Sequence, residues 1–252
     1  MDRLAGLTIF FPAYNDAPAL PALVEGAFRA GEACAEDLEV IVVNDASQDD
    51  TDAVLEELCR RFGERLRVIR HAVNTGYGGA LRSGFRAATK EFVFYTDGDG
   101  QYDVADLPRL VAQMAPGVGL VNGYKTVRHD PWYRRLLGRL YQTLVRPLFR
   151  LRVRDVDCDF RLIRRCALDG LELESNSGAI CVELVLGIQS AGCRIAEVPV
   201  RHLPRRHGRS EFFRPLRLWQ TAVEVGRLLV AWRLRDQGGR VSRCCARDAE
   251  GW

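Results

Sequence analysis

Two aspartates separated by a single glycine, Asp97-Gly98-Asp99, are the residues in this sequence best placed to do chemistry. Paired carboxylates reach a hard divalent cation, and the glycine lets the backbone approach a diphosphate. Mg2+ or Mn2+ suits carboxylate, amide and water ligands, and Gln101 is a candidate to add a carbonyl oxygen or hold a ligating water. Such a metal would neutralise the diphosphate of a leaving nucleotide. Acid-glycine-acid patterns also form ordinary turns, and position favours the metal, because Asp97 directly follows the apolar run 92–96.

A second acid, Asp45, ends the apolar run 38–43 and is a candidate to accept hydrogen bonds from a nucleoside. Asn44, Asp45, Ser47 and Thr51 are equally good helix N-caps, so the spacing leaves both roles open. Asn74-Thr75-Gly76-Tyr77-Gly78-Gly79 opens a predicted helix and offers backbone N–H groups to a phosphate. It lacks the full dinucleotide spacing and the Walker lysine, and tight strand-to-helix packing explains its glycines better. Lys125, Arg161, Arg164, Arg165, Arg205, Arg206 and Arg209 supply cations for phosphate, most of them expected on the solvated surface. Lys125 and Arg205 stand out because each follows a predicted strand on the side where the acids end.

The elements that must position these groups read as a βαβ alternation. Apolar runs at 7–11, 38–43, 66–70, 92–96 and 120–121 are predicted strands, with helices between the first four. Runs such as Val40-Ile41-Val42-Val43 are continuous rather than alternating, as expected for strands covered on both faces of a mostly parallel sheet. Ligands of open α/β sheets bind beyond the carboxyl ends of the strands, where Pro12-Ala13-Tyr14-Asn15-Asp16, Asn44-Asp45 and Asp97-Gly98-Asp99 all fall. After Gly123 the alternation stops. Residues 130–150 predict an amphipathic helix with leucines opposed by Arg134, Arg135, Arg139 and Arg146, suited to a membrane surface or to packing on the sheet. A helix over 178–191 carrying Glu183, a strand over 194–200, a basic loop over 202–210 as a lid, and a second Arg-rich helix over 212–234 follow. The polar segment 236–252 predicts a disordered tail after one domain spanning 1–235.

With 252 residues, 47% of them hydrophobic, the chain supplies one full core. Its net charge is only +3, with the basic residues gathered in 125–165 and 201–243; this fits an anionic small partner, and no nucleic-acid partner is expected. The eight cysteines show no C-x-x-C pair and read as reduced core thiols. No leader opens the chain and no run reaches the roughly 18 apolar residues of a membrane span, so the expectation is a cytoplasmic protein, peripheral at most.

Taken together, these runs resemble the family 2 glycosyltransferases, in particular the dolichyl- and polyprenyl-phosphate sugar synthase branch. The matching residues are Phe11-Pro12-Ala13-Tyr14-Asn15-Asp16, residues 42–51 around Asp45, Asn74-Thr75-Gly76-Tyr77-Gly78-Gly79-Ala80, Asp97-Gly98-Asp99-Gly100-Gln101, residues 155–164 with Cys158-Asp159-Phe160-Arg161, and Glu197-Val198-Pro199-Val200 through His202, Arg205, Gly208 and Ser210. The likeness spans about 7–234 in one order. It implies a GT-A fold in which Pro12, Tyr14, Asp16 and Asp45 hold the nucleoside, while Asp97, Gly98, Asp99 and Gln101 hold metal and diphosphate. It also implies inversion at the anomeric carbon. A phosphate acceptor is already an anionic nucleophile, so cations at Lys125, Arg134 or Arg135, and Arg205 would position it without a base. The sequence departs from the branch at Asp16 (usually Glu), Lys125 (usually Arg), Gly138 and Gln142 (usually Ser and Asn) and Glu211 (usually Lys), mostly on the acceptor side.

The leading expectation is therefore transfer of a hexose, mannose or glucose, from a GDP- or UDP-sugar to a lipid phosphate. A second keeps the donor chemistry with a hydroxyl acceptor and needs a base, for which Glu183, Glu172 and Glu174 are candidates. A third is a non-catalytic nucleotide-sugar-binding module. A dinucleotide-dependent dehydrogenase is disfavoured because acids stand where its glycines belong. Two amphipathic helices leave membrane attachment and self-association both open.

Overall fold

The computed structural model describes residues 3–126, 132–205 and 215–234, and side chains within 132–134 lie outside that description. Arg134, Arg206, Gly208, Arg209, Ser210, Glu211 and the expected tail therefore fall outside the described side chains.

Seven strands, β1 (Leu4–Ala13), β2 (Ala35–Asn44), β3 (Leu66–Arg70), β4 (Phe92–Thr96), β5 (Val118–Lys125), β6 (Phe160–Arg164) and β7 (Arg194–Val200), form one sheet in the order β3-β2-β1-β4-β6-β5-β7. Helices α1 (Leu20–Cys34), α2 (Thr51–Phe62), α3 (Gly76–Ala87), α4 (Leu107–Val111), α5 (Trp132–Leu148), α6 (Ala179–Ser190) and α7 (Pro215–Leu234) flank it. Pairings are parallel for β1 with β2 and β4, for β2 with β3 and for β5 with β7.

The continuous apolar runs have the predicted cause. Leu7, Ile9, Phe11, Val40 and Val42 enter one core with α1, α2 and α4, whereas Phe10, Ile41 and Val43 enter a second core with α3, α5, α6 and α7. Successive strand residues point to opposite faces, so a strand covered on both must be apolar at every position.

Three expectations change. β1, β2 and β5 extend beyond their apolar cores, because polar residues at sheet ends still pair. β6 was not expected as a strand at all, and it runs antiparallel to both β4 and β5. Its alternation was masked by Arg161, which is not a solvated cation but 0% exposed. The guanidinium is held by Asn122 Oδ1 and Tyr95 Oη, each at 2.8 Å, and by the Val156 carbonyl, which supply the partners that a buried charge requires.

Cys166 and Cys193 are disulfide-bonded, which corrects the expectation of reduced thiols throughout and withdraws the support that the cysteines gave to a reducing compartment. They sit on segments far apart in sequence, but Cys193 and Ala167, next to Cys166, both pack against Gly119. Cys34, Cys158 and Cys181 are buried free thiols, as expected.

The two amphipathic helices each present two unlike apolar faces. On α5, Val145 is buried against the second core, while Leu136, Leu137, Leu140 and Leu144 are 47–59% exposed. At 100° per residue these leucines form one stripe beside an exposed row of Arg135, Arg139 and Arg146. On α7, Thr221 and Val225 face inward and Leu216, Trp219, Val230 and Leu234 outward. Phe149 and Trp232, 5.9 Å apart, join the ends of the two helices. Among the described residues, no helix is long and apolar enough to cross a membrane.

Candidate active site

The acids gather where the sheet topology requires, beyond the carboxyl ends of β1, β2 and β4. β4 is buried along its whole length and delivers Asp97 at its end. A Cβ on Gly98 would lie 2.5 Å from the Pro12 carbonyl oxygen, so this position takes glycine and the Asp97–Asp99 turn lies directly on the end of β1. Asp99 shapes the turn by accepting from Gln101 N at 3.0 Å through Oδ1, and its Oδ2 pairs with Arg205 Nη2 at 2.6 Å.

Arg205 arrives on a strap that follows β7 and lies across this turn. The Arg201 side chain donates to Asp106 twice, at 3.2 Å each, its backbone N–H donates to the same carboxylate at 3.1 Å, and its guanidinium pairs with Asp103 at 2.9 Å. His202 bridges to Tyr102 in antiparallel sense, Leu203 N donates to the Gln101 carbonyl at 2.7 Å, and Gln101 Nε2 donates back to the Leu203 carbonyl at 3.2 Å. Gln101 thus anchors the strap through its backbone carbonyl and its side-chain NH2 group, neither of which is the side-chain oxygen expected to serve a metal. Of the predicted lid, the described part, 202–205, is already closed on the turn.

Around Asp97 the charge is crowded. Burial pushes its carboxyl well above the usual carboxylate range, and the neighbouring charges of Asp159 and Asp99 push the same way, against a hydrogen bond from Tyr77 Oη at 2.8 Å and the charge of Lys125. Asp16 is raised to about 6, by burial first and then by Asp99, with the Tyr14 N–H and Arg205 opposing. Asp97, Asp99, Asp16 and Asp159 share a poorly solvated corner that calls for positive charge.

In the folded protein Asp16 holds its proton more tightly than in the unfolded chain. That contribution is complete below pH 4 and is lost as pH rises through about 6. Asp16→Asn is therefore expected to gain stability relative to wild type on going from pH 4 to pH 7.5, by about 1–2 kcal/mol after allowing for partial solvation. Paired thermal melts at the two pH values check this; a difference that does not change with pH counts against it.

Asp45 caps a helix, one of the two roles its spacing offers, though not the helix that follows it in sequence. Its Oδ1 accepts from Thr75 N and Thr75 Oγ1, both at 2.8 Å, and lies 2.7 Å from His71 Nδ1; its Oδ2 accepts from Gly76 N at 2.9 Å. It caps α3 rather than α2, whose first N–H, on Thr51, goes to Asp49 at 3.1 Å. Oδ2, with a single one of these bonds, keeps a lone pair that a nucleoside hydroxyl could use. The same bonds remove the phosphate-cradle reading of 74–79, since Gly78 N also donates, to the Asn176 carbonyl at 3.0 Å. The glycines do serve close packing, but against the 175–176 turn: a Cβ on Gly78 would overlap the Ser175 carbonyl. Gly78→Ala is expected to lower stability by about 1–3 kcal/mol, read as a fall in melting temperature.

Pro12 is buried at the end of β1 and Tyr14 and Asp16 are half-buried beyond it. Asn15, with φ 58°, donates its N–H to Ser47 Oγ at 3.0 Å and accepts from Gln48 N at 2.7 Å, joining the loops after β1 and β2. Lys125, the last residue of β5, donates from Nζ to the Asp157 carbonyl at 2.6 Å and lies 5.8 Å from the Tyr102 ring centroid. Arg135 is exposed on α5, and no described contact joins it to the acids. Glu183 is no free base, because it accepts from Glu174 N and Ser175 N at 3.0 Å each.

Sequence reasoning gave Tyr77 and Asp159 no individual role. The register explains Asp159: Thr96 pairs with Phe160 in the antiparallel β4–β6 ladder, so the next residues outward, Asp97 and Asp159, face one another at its end. That signal exists only once β6 and its direction are known.

The donor set fits a divalent cation. Two carboxylates, completed by water and phosphate oxygens, are the usual protein share of a Mg2+ site. Arg205 already brings positive charge to Asp99, and its buried Nε makes no hydrogen bond. Among the described residues no group of three or more His, Cys, Asp or Glu forms a cation site by itself, so phosphate oxygens would have to complete it.

Residues 8–171 match the family described as glycosyl transferase family 2, and the chain belongs to that family. Among relatives it is 26% identical over 212 residues to the undecaprenyl-phosphate 4-deoxy-4-formamido-L-arabinose transferase of Enterobacter sp. (strain 638), covering 84% of this chain and 64% of that protein. The chain thus spans less than two thirds of the length of that relative. Among solved structures it resembles glucosyl-3-phosphoglycerate synthase from Mycobacterium tuberculosis. The complex with Mn2+, UDP and glucosyl-3-phosphoglycerate matches at TM-score 0.67 and 20% identity, over 93% of this chain and 82% of that one. The Mg2+ and UDP complex matches at TM-score 0.65 and 19% identity, with the same coverage. The fold is GT-A.

Proposed function

We propose that the protein moves a hexose, mannose or glucose, from a GDP- or UDP-sugar to a polyprenyl phosphate, with inversion, through one catalytic domain over 1–235. The observation that carries this is that Asp97 and Asp99 lie beside two cations at the same strand ends, Arg205 bonded to Asp99 and Lys125 near enough for its charge to act on Asp97. Asp97 and Asp99 would hold Mg2+ or Mn2+, which when bound neutralises the diphosphate leaving group. Pro12, Tyr14 and Asp16 line the donor side. Arg205 and Lys125 hold the acceptor phosphate, whose oxygen attacks the anomeric carbon as the bond to the diphosphate breaks, with no proton to remove.

The printed activity of the curated relative supports a polyprenyl acceptor, and the neighbours' complexes with UDP and Mn2+ or Mg2+ support the donor. The exposed leucine stripe of α5 beside its arginine row supports work at a membrane surface. A hydroxyl acceptor is the second reading. Asp159 favours it, a carboxylate facing Asp97 where a base is needed, in place of the occupied Glu183.

Labelled GDP- and UDP-sugars offered with Mg2+ or Mn2+, with and without a short polyprenyl phosphate, test the proposal. Label is expected in the lipid phase only with the polyprenyl phosphate. Donor consumption without lipid labelling would transfer the acceptor to the hydroxyl class and the base to Asp159.

A further inference from the structure

Tyr77 lies in the first turn of α3, and its Oη donates to Asp97 Oδ1 at 2.8 Å. Its placement is fixed from three sides. Asp45 holds Thr75 N and Gly76 N just before it, the Asn176 carbonyl holds Gly78 N just after it, and its ring packs on the second core. Asp97 has the opposite need: it faces Asp159 across the end of the β4–β6 ladder and has Asp99 two residues on. Repulsion from those like charges turns an unanchored carboxylate away from the corner that it must serve.

Resting on the transferase reading above, we propose that Tyr77 is a positioning residue for the divalent-cation site. Its hydroxyl occupies Oδ1 of Asp97 and so leaves Oδ2 as that side chain's contribution to the cation. It acts as the outer partner that orients a ligating carboxylate, and it links the Asp45-capped end of α3 to the acids at the end of β4. Tyr77→Phe removes only the oxygen and keeps the ring in the core.

The test is Mn2+ uptake by the full chain in the presence of UDP or GDP, followed through the electron paramagnetic resonance signal of free Mn2+, for wild type and Y77F. Y77F is expected to bind Mn2+ about tenfold more weakly, the lower end of what loss of such an outer partner produces. Its melting temperature in EDTA should match wild type, and turnover at saturating Mn2+ should fall less than the affinity. Mn2+ affinity within twofold of wild type overturns the proposal. Weaker uptake accompanied by a melting loss above roughly 5 °C, more than 1 kcal/mol for a chain of this size, assigns the hydroxyl to the fold instead and also overturns it. A wild-type protein that takes up no Mn2+ with either nucleotide refutes the transferase reading and this inference together, whereas normal wild-type uptake unchanged in Y77F refutes this inference alone.

Discussion

Asp99→Ala is expected to lower metal-dependent turnover by on the order of 10²–10³-fold, the range seen when one group that stabilises developing charge is removed, while the protein stays folded. Asp99 makes two contacts, one with the amide of Gln101 that shapes the turn and one with Arg205. Neither is core packing, since the apolar side of β4 is filled by Phe92, Val93, Phe94 and Tyr95. Losing the turn bond costs about 1 kcal/mol, and the ion pair contributes little where one partner is partly solvated. Turnover at saturating Mn2+ and a thermal melt of the same sample check both halves. Near-normal turnover in D99A would refute the assignment of this carboxylate to the cation.

Arg205→Ala is expected to produce two effects of opposite sign. Arg205 occupies the charge of Asp99 at 2.6 Å, so a divalent cation would compete with it. Removing it should therefore tighten Mn2+ binding to the ligand-free protein, by a few-fold to about tenfold if the pair contributes about 0.5–1.4 kcal/mol. In the proposed reaction the same guanidinium engages the acceptor phosphate, and its loss should raise the acceptor KM by about 10–100-fold, the 1.5–3 kcal/mol of a hydrogen bond to a charged group, with the donor KM little changed. Lys125→Ala should share the acceptor defect without the gain in Mn2+ affinity, because its amine reaches the Asp157 carbonyl rather than Asp99. Titration calorimetry with Mn2+ and acceptor-dependent kinetics separate the two effects. An R205A protein with unchanged Mn2+ affinity and unchanged acceptor KM would remove Arg205 from both roles.

Ligand-free Arg205 on Asp99 also gives the chain an internal counter-charge. Burial, and after it the charge of Asp99, raise Asp16 to about 6, and Arg205 opposes that rise.

What the sequence determined by itself was whatever depends on local pattern. Continuous apolar runs define parallel strands covered on both faces, so β1, β2, β3 and β4, and with them the crevice holding Pro12, Asp16, Asp45, Asp97 and Asp99, follow from residue order alone. Tertiary structure decided the rest, because the remaining contacts join segments whose local patterns are silent about one another. Burying Arg161 inside β6 hid a strand from its residue pattern, and the antiparallel direction of that strand set Asp159 against Asp97. The spacing around Asp45 suits a cap for the helix after it, yet it caps α3, some 30 residues on. Tyr77 reaches Asp97 across 20 residues and Arg205 reaches Asp99 across 106. A carboxylate's partner is set by which loops the sheet order brings to one edge, and no local period in a sequence encodes that order.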